Sequence, residues 1–211
     1  MFLANLSLIF LYVPNEQVMG IVQRIFYLHV PLVWMGFLSF FIVFAASILY
    51  LFKSNEKWDR LAVSAAEIGV VFMTAGIISG ALWAKPVWGT WWAWDAKLTT
   101  TFILWVIYIS YLMVRSFAPS KGQAARYSAV IGIIGFLDVP IVYMASHWWR
   151  TLHPALVTGP LSDSDGLESS MRFTLYFSTL TMTLLLGILL RSRVKLYQIE
   201  DRIVQLRHDH S

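Results

Sequence analysis

Trp88-Gly89-Thr90-Trp91-Trp92-Ala93-Trp94-Asp95-Ala96-Lys97-Leu98-Thr99-Thr100 places four tryptophans within seven residues, between two long apolar runs. This much flat aromatic area, followed by an acid and a base, suits a large planar apolar ligand with a charged edge, such as a porphyrin. A membrane-interface belt is the alternative, because tryptophan gathers at the level of the lipid headgroups. If the segment is helical, Trp88, Trp91, Trp92 and Asp95 share one face at i, i+3, i+4 and i+7. Spacing alone leaves both interpretations open.

The composition is that of a polytopic membrane protein. Of 211 residues, 58% are hydrophobic and 13% charged, and the mean hydropathy is +0.64. The chain has no cysteine, which excludes thiolate metal ligation, disulfides and a CxxCH haem attachment site within it. It has no Walker A motif, so it does not power transport itself, and its dispersed basic residues argue against nucleic-acid binding.

Six apolar runs predict an all-α bundle of six transmembrane helices with an outward-facing tryptophan-rich loop. The runs lie at residues 1–13, 31–52, 61–83, 98–115, 125–145 and 172–190. All but the first approach the roughly 20 residues that a helix needs to cross the hydrocarbon core. The first run must tilt, extend past Pro14 or cross a thin region. We therefore interpret residues 1–190 as a transmembrane domain and residues 191–211 as a basic tail.

Lysine and arginine predict the orientation of this bundle. Eleven of the 16 basic residues fall on one side, in the loop 53–60, the loop after the fourth span and the tail. The positive-inside rule places these in the cytoplasm, so that loops 14–30, 84–97 and 146–171 face outward. His29, His147 and His153 then share the outer side with the tryptophan-rich loop.

The run WGTWWAWDAKLTT resembles the tryptophan-rich WWD signature of the haem-handling proteins of cytochrome c maturation, and it is most similar to the CcmC family. The resemblance extends to YLHVP at 27–31 and HWWRTLHP at 147–154. It implies a bacterial inner-membrane protein that binds haem b non-covalently at its periplasmic face. Such a protein presents haem to a CcmE-like periplasmic haem chaperone by positioning it, and is not itself an enzyme. Further implied partners are CcmA-like and CcmB-like ATP-binding cassette subunits and a small CcmD-like membrane subunit.

His29 and His153 are the predicted axial ligands of the haem iron. From the residues alone, His29 could equally be a capping or interfacial residue, placed just before Pro31 in the first turn of the second span. The match of YLHVP to the family favours ligation. His147 competes with His153, but the TLHP position resembles the family ligand, whereas His147 is expected at a helix C-terminus, where the helix dipole favours it. His147 therefore stays as the alternative ligand.

The other predicted cofactor-binding residues surround these histidines. Tryptophans are expected to contact the macrocycle, and the nearest cations are expected to bind the propionates by charge-assisted hydrogen bonds. Asp95 is expected to cap the fourth span and to shape the loop. The full predicted set, besides the two histidines, is Trp88, Trp91, Trp92, Trp94, Asp95, Lys97 and Arg150.

Two acids lie inside predicted spans. Glu67, about two turns from Arg60, is expected to snorkel or to pair with the basic loop. Asp138 precedes Pro140 and is either a functional group or a polar contact at a proline kink.

Two rival functions remain at this point. A membrane cytochrome b predicts histidines inside the spans, and the clear spans contain none. If the protein were a haem-conducting permease, we would expect polar residues along several spans. Glu67 and Asp138 alone are weak evidence for such a lining. A cytochrome c synthase of the WWD type would be a longer chain.

Overall fold

The computed structural model describes residues 1–149, 151–153 and 167–209, and its regular elements are helices. Helix α1 (Phe2–Ser7) continues into a π-helical turn (Leu8–Tyr12), and a 3-10 helix (Ile21–Ile25) leads into the second helix. The remaining helices are α2 (Phe26–Lys53), α3 (Glu56–Trp88), α4 (Ala96–Phe117), α5 (Lys121–Phe136), α6 (Asp138–Trp148) and α7 (Ser169–Asp209). The predicted all-α membrane bundle is confirmed.

Five helical segments of the described chain are long and apolar enough to cross a membrane. They are Ile21–Lys53, Glu56–Trp88, Ala96–Phe117, Lys121–Trp148 and Ser169–Arg207, and they contain the last five predicted spans. Helix α7 continues without a break from the last predicted span into the predicted tail, as far as Asp209.

The first predicted span is a short helix, Phe2–Tyr12, that ends before Pro14. It packs along α7, where Ser178 Oγ donates a hydrogen bond of 2.7 Å to Asn5 Oδ1 in a fully buried contact. Arg24 Nη1 donates to the carbonyl of Phe10 at 2.7 Å. Since the last carbonyls of a helix have no partner within it, this contact stabilises the end of the segment.

Helices α2 and α3 make the most extensive contact between helices in the described chain, and glycine makes it possible. A Cβ at Gly69 would lie 2.7 Å from Phe40 Cε1, and a Cβ at Gly76 would lie 2.8 Å from Val33 Cγ2. Small residues let two backbones approach within a membrane, where dispersion and hydrogen bonding replace the hydrophobic effect as the driving force between helices. The same Phe40 ring also stacks on Tyr108 of α4, with ring centroids 3.7 Å apart.

The fifth predicted span is broken in two. Helix α5 ends at Phe136, Leu137 N–H donates to the Ile134 carbonyl in a tighter turn, and α6 begins at Asp138. Pro140 explains the break, because it has no N–H to donate to the carbonyl one turn earlier. After the break, α6 packs mainly on α4, whereas α5 packs on both α2 and α4.

Charged side chains join the helices at the end of the bundle where α3 begins. Arg115 binds both carboxylate oxygens of Asp59, at 2.6 and 2.8 Å. The expected pairing of Glu67 with the basic loop at Arg60 is wrong. Glu67 instead accepts hydrogen bonds from Arg193 and from the Tyr197 hydroxyl. These two residues reach it because α7 continues beyond the apolar run 172–190 and packs against α3.

We expect Gly69→Ala to lower the free energy of unfolding by about 1–3 kcal/mol, because the new methyl group overpacks the contact with Phe40. Gly122→Ala in the first turn of α5 is the matched control, since its Cβ would meet nothing within 4 Å and alanine favours a helix by up to about 1 kcal/mol. Denaturant titration of the purified protein in detergent measures both. Equal losses in the two variants would contradict this account of the α2–α3 contact.

Candidate functional site

A cavity of about 1010 Å³ lies at the end of the bundle where α3 ends and α4 begins. This volume is at the upper limit for small-molecule and cofactor sites, which span roughly 300–1,000 Å³. Its wall is predominantly apolar and comes from α2, α3, α4, α6 and α7 and from three connecting segments, which contribute Met19, Trp91 with Trp92, and Leu152 with His153. The residues used below that line it are His29, Val33, Trp34, Gly76, Gly80, Trp83, Trp88, Trp91, Trp92, Lys97, Thr101, Val139, Pro140, Val142, Tyr143, Leu152 and His153.

The imidazole of His29 is held in one orientation from α3. Its Nδ1 lies 3.0 Å from the Gly76 carbonyl and 3.1 Å from Ser79 Oγ. A carbonyl only accepts hydrogen bonds, so Nδ1 carries the proton and Nε2 keeps its lone pair. A backbone carbonyl on one ring nitrogen is the arrangement that orients histidines toward a metal on the other. The Trp83 ring also packs edge-on against this imidazole, with centroids 5.8 Å apart.

Glycine creates the space that His29 occupies. A Cβ at Gly80 would lie 2.9 Å from His29 Cε1, so the imidazole ring occupies space that a side chain at position 80 would otherwise fill.

The predicted position of Pro31 in the first turn of the second span is wrong. Helix α2 begins at Phe26, and Pro31 lies inside it.

His153 lies in the short described segment after α6, and it lines the same cavity as His29. Its ring meets Trp88 edge-on, with centroids 5.1 Å apart. Burial, and to a smaller extent the nearby Lys97 ammonium, lower the pKa of His153 to about 4 against the opposing effect of Asp95. The imidazole is therefore neutral at neutral pH and keeps a lone pair for a metal. Its Nδ1 is buried, without a hydrogen-bond partner among the described residues.

Asp95 connects the tryptophan-rich loop to the segment that carries His153. Its Oδ1 accepts the Leu98 N–H at 2.8 Å, which confirms the predicted N-cap of α4. Its Oδ2 accepts the Leu152 N–H at 3.0 Å and lies 3.7 Å from His153 Nδ1, beyond hydrogen-bond distance. The Asp95 carboxylate therefore both caps α4 and holds the backbone of the segment that carries His153.

The tryptophan-rich loop is not helical between Gly89 and Asp95. Gly89 ends α3 with φ of 75°, in the left-handed region that favours glycine. The single helical face considered above therefore does not form. Trp88, Trp91 and Trp92 nevertheless line the cavity.

Trp94 does not line the cavity and is 71% exposed. Its ring packs edge-on against Trp92, with centroids 5.6 Å apart, and against Phe102 of α4 at 6.0 Å. Trp94 therefore contacts the cavity only through Trp92.

Lys97 is the predicted cation that reaches the cavity. It lines the wall, and its Nζ lies 3.5 Å from Ser146 Oγ. Arg150, the other predicted cation, lies outside the described residues. Lys85 is directed elsewhere, since its Nζ donates to the Gly89 carbonyl at 3.0 Å and lies 5.9 Å from the Trp91 ring centre.

Two further sequence candidates lie beside the cavity. His147 is exposed in the last turn of α6, as expected for a helix C-terminus, and it does not line the cavity. Asp138 is the first residue of α6, and its Oδ2 is buried without a hydrogen-bond partner in the described part of the chain.

Apart from His29 and Trp88, sequence reasoning missed the wall that α2 and α3 contribute. Gly76 and Gly80 form a GxxxG pair, a pattern that marks close helix contacts in membranes. That pattern could have placed α3 beside His29. Trp34 and Tyr143 also line the cavity, and nothing in their spacing distinguishes them from lipid-facing aromatic residues.

These features define an integral membrane protein with a large apolar site that brings together two histidines and an aromatic loop. The model of the family described as CcmC, Heme exporter protein C, matches residues 1–209. The chain is 32% identical to Heme exporter protein C of Bradyrhizobium diazoefficiens over 194 residues, covering 88% of this chain and 74% of that protein. It is 34% identical to Heme exporter protein C of Escherichia coli K12 over 179 residues, covering 83% and 72%.

A plant relative shows the same likeness over a shorter region. The putative cytochrome c biosynthesis ccmC-like mitochondrial protein of Marchantia polymorpha is 34% identical over 140 residues, covering 66% of this chain and 59% of that protein. The chain belongs to the CcmC family.

We expect Asp95→Ala to lower the free energy of unfolding by about 1–2 kcal/mol for the lost cap and further for the lost hydrogen bond to Leu152. Asp95→Asn should lower the free energy of unfolding by less than Asp95→Ala does, because the asparagine amide oxygen can still accept the Leu98 N–H and cap α4. It should still lose the hydrogen bond from the Leu152 N–H, because an amide nitrogen cannot accept it. Ser120→Ala, which removes the N-cap of α5 at a site remote from the cavity, is the control. Denaturant titration in detergent should give the smaller loss for Ser120→Ala. If the Ser120 variant loses as much as Asp95→Ala, the second hydrogen bond contributes nothing.

Proposed function

We propose that this protein binds haem b non-covalently in the cavity and presents it for cytochrome c maturation. His29 and His153 would bind the iron, and the tryptophans at the cavity would contact the macrocycle. One observation carries the proposal: two histidines that lie far apart in the sequence, His29 and His153, line a single apolar cavity of cofactor size. The family, described as Heme exporter protein C, supports the same ligand.

The residues present fit this cofactor. When bound, haem supplies an iron with two axial positions and a flat apolar macrocycle. His29 keeps Nε2 free because Nδ1 donates to Gly76. His153 is neutral at neutral pH, and its unpaired buried Nδ1 lies near Asp95. Both imidazoles are therefore in the protonation state that ligation requires.

The aromatic and charged residues would orient the macrocycle. Trp88, Trp91 and Trp92 present their rings to the cavity, and Trp94 would act by supporting Trp92. Lys97 is the described cation placed to pair with a propionate. We propose that Arg150 also binds a propionate, because it lies within the HWWRTLHP motif that contains His153.

The orientation of the chain in the bacterial inner membrane follows from its basic residues. The positive-inside rule supports a periplasmic cavity and a cytoplasmic C-terminus. Trp91, Trp94, Trp148 and Trp149 remain exposed beside the cavity, so a periplasmic haem chaperone could reach the edge of the macrocycle. The protein's contribution would be positioning. We propose ATP-binding cassette subunits and a small membrane subunit as further partners, on the strength of the family.

We expect His29→Ala and His153→Ala each to weaken haem binding at least roughly tenfold, because each removes an iron ligand. The absorption spectrum of haem in each purified variant should lose its bis-histidine form, and added imidazole should restore it. His147→Ala is the matched control and should keep the wild-type spectrum. Unchanged spectra in both ligand variants would reject the proposal, and loss of the spectrum in the His147 variant would reassign the ligand.

We expect the double variant Trp91→Ala, Trp92→Ala to lower haem affinity about tenfold, because two aromatic contacts to the macrocycle are lost. The double variant Trp148→Ala, Trp149→Ala removes the same side-chain area from exposed positions outside the cavity wall. It should keep wild-type affinity. Haem titration of the apoprotein in detergent measures both. Equal affinities in the two double variants would show that the loop does not recognise the macrocycle.

A further inference from the structure

A smaller concavity of about 500 Å³ lies at the end of the bundle opposite the two histidines, between α3 and α7. We call it the basic groove. It is lined by Leu61 of α3 and by Gly187, Leu190, Arg191, Val194, Lys195 and Gln198 of α7. The α7 residues recur every three or four positions, so they form one stripe along the helix.

The two cations of the basic groove have no acidic partner among the described residues. The ion pairs that the described residues form at this end join Arg60 to Glu56 and Asp201, Lys121 to Asp201, Arg115 to Asp59, and Arg193 to Glu67. Arg191 and Lys195 are exposed and make no ion pair with any described residue. Two unneutralised positive charges on one side of a groove favour an anionic ligand.

The groove lies where the apolar part of α7 ends. Residues 184–190 are apolar apart from Gly187, and Arg191 begins the basic segment. Leu61, Leu190 and Val194 give the groove an apolar floor, and Gly187 leaves it open, since a Cβ there would meet nothing within 4 Å. An anionic headgroup above an acyl chain matches this order of charge and apolar surface along the helix.

We propose that the basic groove binds one anionic phospholipid, with the headgroup phosphate held by Arg191 and Lys195. Both side chains would donate charge-assisted hydrogen bonds to the phosphate oxygens. Gln198 would reach the polar part of the headgroup, and an acyl chain would lie along Leu61 and Leu190. Basic pockets between transmembrane helices bind anionic lipids by this combination. The site is separate from the cavity and does not depend on the haem proposal.

Phosphatidylglycerol binding to the purified full-length protein in detergent tests this inference, with bound lipid counted by native mass spectrometry. We expect one tightly bound molecule, and no comparable binding of phosphatidylcholine. The double variant Arg191→Gln, Lys195→Gln should lose at least roughly tenfold in affinity. Arg202→Gln, Arg207→Gln removes the same charge from exposed positions of α7 beyond the groove and should bind as the wild type does.

A third variant separates a shaped site from general attraction between charges. Gly187→Leu keeps both cations and places a side chain in the groove, at a position where a Cβ would meet nothing within 4 Å, and it should also lose phosphatidylglycerol. Normal binding by Gly187→Leu, or equal losses in the two charge variants, would overturn the proposal. Inorganic phosphate is the remaining arm. If millimolar phosphate displaces the lipid fully, the groove recognises a free anion and the apolar floor plays no part.

Discussion

The close approach of α2 and α3 is the constraint on which the rest of the site depends. Gly69 and Gly76 let the two backbones meet, and the same approach brings the Gly76 carbonyl within reach of His29. Gly80 then leaves room for the imidazole ring. Because a larger residue at any of these positions would separate the helices or displace the ring, this one contact sets both the packing of the two helices and the orientation of the His29 ring. This close contact therefore belongs to the membrane-spanning core and also fixes the position of His29 in the candidate site.

Much of the fold could be predicted from the sequence, because hydropathy and capping are local properties. The five long spans follow from runs of apolar residues, and the cap at Asp95 follows from an acid placed directly before a helix. The convergence of His29 and His153 on one cavity is a different kind of property. No periodicity relates two residues so distant in the chain, and only the resemblance of their flanking motifs to a known family suggested it.

The predictions that failed did so for identifiable physical reasons. The tryptophan-rich segment has helical spacing, but Gly89 takes a positive φ and ends the helix before the loop begins. Glu67 has a basic residue two turns away on its own helix, yet it pairs with Arg193. This happens because α7 continues beyond the apolar run and brings the Arg193 guanidinium to the Glu67 carboxylate. In both cases the local pattern was correct and a backbone turn or a distant helix determined the outcome.

The break between α5 and α6 has a consequence for the cavity. Val139, Pro140 and Val142 follow the break and line the open space, while the preceding helix stays against α2. Pro140, whose missing amide hydrogen accounts for the break, is therefore itself part of the cavity wall. A substitution at this one position would change the path of the main chain and the surface of the site together.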